Sequence, residues 1–198
     1  MTGLEHIDKF IVQQQKEWGE ILTGFETKNR YKIFDSAGNE LFYAFEDKGN
    51  WLIRQFLQSA RPLTMQITDK DKNTVLQIKK PFRWIFPEVS ILDTEKKLIG
   101  TIKKRFTFFR RLYSVFDSSG HEIFQLFGPI LKPWTFHIME NSREVGKVTK
   151  KWSGAMKEIF TTADNFGAEF PVAWSSEKKY IALGAVFLID LVHFEYKG

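Results

Sequence analysis

One local pattern, repeated five times along the chain, limits what it can fold into: an alternating apolar run, an Asp or Glu, a short polar turn and a second apolar run. The first copy places Tyr31 and Ile33 before Asp35, a turn of Ser36, Ala37, Gly38 and Asn39, and then Leu41, Tyr43 and Phe45. The second has Met65, Ile67 and Asp69 before Val75, and the third Val89, Ile91 and Asp93 before Leu98, Gly100 and Ile102. The fourth has Tyr113, Val115 and Asp117 before Ile123, and the fifth Phe136, Ile138 and Glu140 before Val145 and Val148. Alternation with period two buries one face of a strand. An Asp can fold back on its own backbone, and Gly supplies a positive φ where a tight turn needs one. Each copy therefore reads as a β-hairpin, and five in sequence as a meander.

A meander of this length forms a sandwich or a barrel, and sequence period alone does not separate them. Closure removes the edges that apolar strands otherwise expose. The 20 Phe and the 16% aromatic content suit strands and a core of flat, bulky side chains. At 198 residues, with no stretch resembling an interdomain linker, the expectation is a single domain over 1–198.

The pattern changes near the C-terminus. Residues from Tyr180 to Phe194 are apolar all round, after Ser175, Ser176 and Glu177, which suit an N-cap and first turn, so a helix is expected over about 176–195. Such a helix is buried in protein or inserted in lipid. Fifteen residues reach only about 22 Å, against roughly 30 Å of hydrocarbon, and Asp190 and His193 interrupt the last turns. A buried core helix is the reading preferred. Asp190 and His193, three apart, are placed to share a face and satisfy each other as a structural pair.

Twenty-nine Lys and Arg against 24 Asp and Glu give a formal charge of +5, which suits a phosphate-bearing partner. The densest cationic run is Lys103, Lys104 and Arg105, then Phe106, Thr107, Phe108 and Phe109, then Arg110 and Arg111. It is either a headgroup-binding surface or an ordinary solvated strand face with its aromatics turned inward. Two further apolar stretches stand out: Trp51, Leu52, Ile53, Phe56 and Leu57, and Phe82, Trp84, Ile85, Phe86 and Pro87. Both suit loops that enter a membrane or meet a partner chain, or strand ends packed on the helix. The absence of cysteine excludes disulfides, thiolate metal sites and S-palmitoyl anchors, and the first twenty residues lack the apolar run of a signal peptide. With no Gly-rich phosphate loop and no nucleophile elbow, the chain is not expected to be an enzyme.

Several phrases resemble the phospholipid scramblase family: Leu22 to Thr27 with Asn29 and Tyr31, Ala60 to Pro62, Phe127 to Pro129, and Lys150 to Gly154. Glu158, Phe160, Thr161, Ala163 to Gly167, Phe170, Pro171 and Leu183 to Glu195 follow the family's C-terminal signature, so the resemblance runs from about Leu4 to Glu195. That family is similar to the Tubby C-terminal domain. The resemblance implies a mainly β fold, a closed antiparallel twelve-stranded barrel enclosing the hydrophobic C-terminal helix. Functionally it implies calcium-stimulated, ATP-independent movement of phospholipids between leaflets, which would make anionic phospholipids the partners; the cationic run itself offers Lys103, Lys104, Arg105, Arg110 and Arg111 as candidate headgroup ligands.

The family's calcium loop carries acids at its first, third and last positions, here Thr162, Asp164 and Ala173, of which Asp164 alone is acidic. The candidate oxygen donors for calcium are therefore Thr162, Asp164, Asn165 and Glu169. Animal members carry a Pro-rich N-terminal region and cysteine runs, and this chain has neither. The resulting expectation is a cytoplasmic protein peripheral to the inner face of the plasma membrane. The alternative is a soluble Tubby-like lipid-binding or protein- or DNA-interaction scaffold without transport, although no recognised nucleic-acid motif is present.

Overall fold

Each of the five repeated units folds as an antiparallel hairpin in the computed structural model, which describes residues 3–15, 29–47, 60, 62–83, 86–150 and 165–193. A strand β1 (Lys9–Gln14) precedes them. The hairpins are β2 (Arg30–Phe34) with β3 (Glu40–Glu46), β4 (Leu63–Thr68) with β5 (Thr74–Lys80), and β6 (Glu88–Leu92) with β7 (Leu98–Arg105). They continue with β8 (Arg110–Asp117) and β9 (Glu122–Pro129), then β10 (Thr135–Glu140) and β11 (Arg143–Lys150). Strand β12 (Asn165–Glu169) pairs with both β11 and β1, so the twelve strands close into an antiparallel barrel. This settles barrel against sandwich, and no edge is left open.

The acid that ends the first strand of each of the first four units builds its turn. The Asp35 carboxylate accepts the amides of Ala37 and Asn39 at 2.9 and 2.8 Å, and Asp69, Asp93 and Asp117 repeat this with the amides two and four residues on. The residue three beyond each Asp has positive φ: Gly38 at 84° and Gly120 at 82°, but Lys72 at 67° and Lys96 at 63°. Two copies thus place a lysine where glycine would be unstrained. The fifth unit turns more tightly, through Asn141 and Ser142 at φ 47° and 65°, the two-residue turn whose twist matches the strands.

Asp69 makes a pH prediction. The side-chain hydrogen bond from Asn73, with the amides of Asn73 and Asp71, holds its carboxyl below the ordinary carboxylate range. The folded value lies below the unfolded one, so this contribution is fully present above the unfolded pKa and is lost as pH falls through the folded one. A carboxylate-detected NMR titration should find Asp69 ionising at lower pH than a peptide Asp. An ordinary midpoint would mean that the turn does not hold its charge.

Every hairpin also carries a register shift just beyond its turn. Ile33 faces Phe42 but Phe34 faces Glu40, and the same skip recurs at Ile67/Thr68, Ile91/Leu92, Val115/Phe116 and Ile138/Met139. The extra residues, Leu41, Val75, Ile99, Ile123 and Val145, are aliphatic at all five places and pack against the core as bulges. A bulge reverses the inside and outside parity of the strand residues beyond it. On β3 the deeply buried alternation is therefore Phe42 and Ala44, and Tyr43 of the expected set is only partly buried.

The lumen is filled by α1 (Ser176–His193), which matches the expected helix and is buried from Lys179 to Leu191. The Ser175 hydroxyl caps it, accepting the Lys178 amide at 3.3 Å. Tyr180 meets Phe42 of β3, and Phe187 meets Tyr31 of β2. A Cβ on Gly184 would lie 2.7 Å from Ile91 of β6, so that glycine sets how closely helix and wall approach. Among the described residues, no helix is long and apolar enough to cross a membrane. The Lys179 side chain is wholly buried, and its Nζ donates to the carbonyls of Leu4 (2.7 Å), Val172 (2.7 Å) and Glu5 (3.1 Å). It ties the start of the helix to the segment before β1.

Candidate functional site

The helix polar pair lies inside the barrel, and each member meets a tyrosine of the wall. The Tyr31 hydroxyl donates to Asp190 Oδ2 at 2.6 Å, and the Tyr113 hydroxyl lies 2.8 Å from His193 Nε2. These tyrosines stand on β2 and β8, six places apart round the ring, so the two contacts fix the end of the helix against separate parts of the wall. Burial pushes the Tyr113 phenol well above its usual value, against a smaller opposing effect of Arg111. Tyr31→Phe keeps the ring but removes the bond to the carboxylate. It should cost about 2 kcal/mol in urea unfolding, and an unchanged midpoint would show that Asp190 does not rely on this donor.

Of the four candidate calcium ligands, Thr162 and Asp164 lie outside the described residues. Asn165 and Glu169 are the two ends of β12. Four residue steps of strand set their Cα atoms about 13 Å apart. The Glu169 carboxylate instead receives Lys9 at 3.0 Å and Lys147 at 3.3 Å, one from each neighbouring strand. Among the described residues, no group of three or more acids and histidines is placed to hold a metal. Of the four candidate donors, Glu169 is thus committed to two lysines.

The cationic run sits at the barrel end opposite the tight turns, on the end of β7, the start of β8 and the loop between them. Lys103 approaches Glu88 at 3.7 Å, and Arg105 approaches Glu122 at 3.9 Å; both cationic side chains are more than half exposed. Such loose pairs contribute about 0–1 kcal/mol and exchange readily for another anion. Lys104 is half-buried and Arg110 exposed.

Arg111 is placed differently. Its guanidinium donates to the carbonyls of Pro133 (2.8 Å), Pro129 (3.1 Å) and Lys132 (3.1 Å) and lies 4.3 Å from the Phe136 ring centroid. Burial lowers its pKa somewhat, with Tyr113 opposing. Arg111 therefore braces the β9–β10 loop, whereas Lys103, Arg105 and Arg110 present their charge outward.

The aromatics of the run do not turn inward: Phe106, Phe108 and Phe109 are all exposed. Of the two other apolar stretches, 51–57 and residues 84–85 lie outside the described residues, while Phe82 and Phe86 are exposed. Sequence reasoning does not single out the β9–β10 loop, where Ile130, Leu131 and Trp134 are also exposed. Its signal is present in the residues all the same: an apolar segment with one lysine and no acid, after the Gly128 and Pro129 that end β9.

Comparison with known proteins bears on what such a surface serves. The family model described as Scramblase matches residues 1–196. Phospholipid scramblase 1 of Mus musculus is 32% identical over 213 residues, across 99% of this chain. Phospholipid scramblase 2 of Bos taurus is 31% identical over 210 residues, across 98% of this chain and 71% of its own length. The chain spans 65% of the length of the mouse protein. A solved structure from Arabidopsis thaliana is similar at a TM-score of 0.48 and 16% identity, covering 95% of both chains.

Proposed function

This chain belongs to the scramblase family, and from that premise we propose that it is a membrane-associated, scramblase-like protein that binds anionic phospholipids and moves them between leaflets. The single observation that carries this reading is the family match over nearly the whole chain. A lumen filled by the chain's own helix favours lipid handling on the outside of the barrel rather than through it. The outward cations Lys103, Arg105 and Arg110 are suited to headgroup phosphates, and association would be peripheral, at the inner, anionic leaflet of the plasma membrane.

Sedimentation with phosphatidylserine-containing vesicles should show binding that weakens with salt and is much reduced on phosphatidylcholine alone. Each cation near such a surface contributes about 1 kcal/mol, so Lys103→Ser with Arg105→Ser should weaken binding roughly thirtyfold. A dithionite assay of labelled lipid in proteoliposomes tests transport, with and without calcium. Binding without translocation would reduce the function to lipid recognition; no binding at low salt would remove it altogether.

A further inference from the structure

We propose that the barrel docks on the anionic bilayer end-on, inserting the apolar side chains exposed on three neighbouring loops, Phe82 and Phe86 on the first and those of 106–109 and 130–134 on the others, with the strand faces beyond Lys103 and Arg105 left in water. The inference rests on the lipid-binding reading above and specifies which surface does the binding. These loops join β5 to β6, β7 to β8 and β9 to β10, strands that are successive in the ring, so their tips share one sector of one rim. Eight of the ten large apolar side chains exposed among the described residues lie in them: Phe82, Phe86, Phe106, Phe108, Phe109, Ile130, Leu131 and Trp134. Phe108, Phe109 and Leu131 stand out most, at 81%, 85% and 95% exposure.

Scattered exposed apolar residues are ordinary on a protein surface, but a cluster confined to one rim is not. Phe86, Phe106, Phe108 and Phe109 touch in series, with ring centroids 6.3, 4.8 and 6.4 Å apart. The third loop is braced beside them by Arg111, whose bonds from β8 reach two of its carbonyls, Lys132 and Pro133, and that of Pro129 at the end of β9. The first two loops are thus joined through their rings, and the third is held by the strand that follows the second.

Charge selects the occupant. The three loops contain no Asp or Glu, and Arg83 and Lys132 within them, with Arg110 at the border, are exposed cations. Glu88 approaches Arg83 only to 3.8 Å and is shared with Lys103. Aromatic and aliphatic tips flanked by cations match the headgroup boundary of an anionic bilayer, where rings settle at headgroup level and Arg and Lys meet phosphate. The opposite rim is built from turns of mixed charge, with Asp35, Asp69, Asp71, Asp93, Glu95 and Asp117 beside Lys70, Lys72, Lys96 and Lys97, and suits water.

The chain lacks cysteine, so one introduced thiol can carry an environment-sensitive nitrobenzoxadiazole probe without background. With phosphatidylserine-containing vesicles, the probe on Phe108→Cys or Leu131→Cys should shift to the blue and be quenched by lipids spin-labelled in the acyl chain. The probe on Ser119→Cys, at the other rim, should do neither. Phe108→Ser with Leu131→Ser should bind roughly a hundredfold more weakly, at about tenfold for each buried side chain lost, with an unchanged unfolding midpoint. Vesicle binding with the position-108 and position-131 probes still in water would overturn end-on docking and leave the lipid-binding reading standing, whereas no vesicle binding would end both. A self-association in sedimentation velocity that Phe108→Ser abolishes, with no loss of vesicle affinity, would assign the patch to a second copy of the chain and also overturn the proposal.

Discussion

Replacing Lys179 by Met is expected to lower the unfolding free energy by about 4 kcal/mol, read as a fall in the urea midpoint followed by tryptophan fluorescence. Methionine matches the apolar stem of lysine in length, so the variant isolates the ammonium. That group is wholly buried and donates three hydrogen bonds, as many as an ammonium has protons. Burial lowers its pKa, with Glu5 and Asp8 pulling the other way. Without it the carbonyls of Glu5 and Val172 lose their donor inside the structure, while Leu4 keeps the Ile7 amide at 3.1 Å. Since the three carbonyls come from both sides of the helix start, the damage should include release of the segment before β1. A loss below about 1 kcal/mol would mean that water enters and replaces the ammonium.

Gly146→Ala should cost about 3 kcal/mol and lower the melting temperature by roughly 6–12 °C for a chain of this size. A Cβ at this position would lie 2.1 Å from the Glu169 carbonyl oxygen and 3.2 Å from the Phe170 Cα. Both obstacles are backbone, so no rotamer change relieves the clash. Strand β12 would have to move away from β11, and it is the strand that closes the ring between β11 and β1. Hydrogen exchange should therefore accelerate at Phe166 to Glu169 more than in the β4–β5 hairpin. Uniform exchange with an unchanged melting temperature would show that β12 absorbs a methyl group without parting from its neighbour.

Much of this architecture was legible in the residues, because every hairpin announces itself by alternation and the first four also by the acid that folds the turn. Asp35, Asp69, Asp93 and Asp117 do what their chemistry suggests. The helix was legible from an apolar surface that runs from Tyr180 to Ile189 and from Ser175 ahead of it. The side assigned to β3 was not, since nothing in the letters around Leu41 marks it as an inserted bulge rather than an ordinary inward residue.

Lys179 escapes a sequence reading for a related reason: a lysine in the first turn of a helix ordinarily snorkels to water, and only the fold reveals three carbonyls around it. At the candidate site, sequence located the cationic run, but the division between outward charge on Lys103 and Arg105 and the bracing role of Arg111 depends on a loop 18 to 22 residues further on.

A barrel whose lumen is occupied by a helix that comes after all twelve strands in the chain has an order of assembly written into it. Tyr31 waits for a partner 159 residues away and Leu4 for one 175 away, so the contacts that finish the core are among the most distant in sequence. During synthesis the strands emerge first, with Ile33, Ile67, Ile91, Val115 and Ile138 lining a space that nothing yet fills. A ring of strands around an empty apolar cavity is poorly stable, so the fold should be completed only when α1 has left the ribosome and slotted in. Until then the nascent barrel should expose apolar strand surface of the kind that chaperones bind.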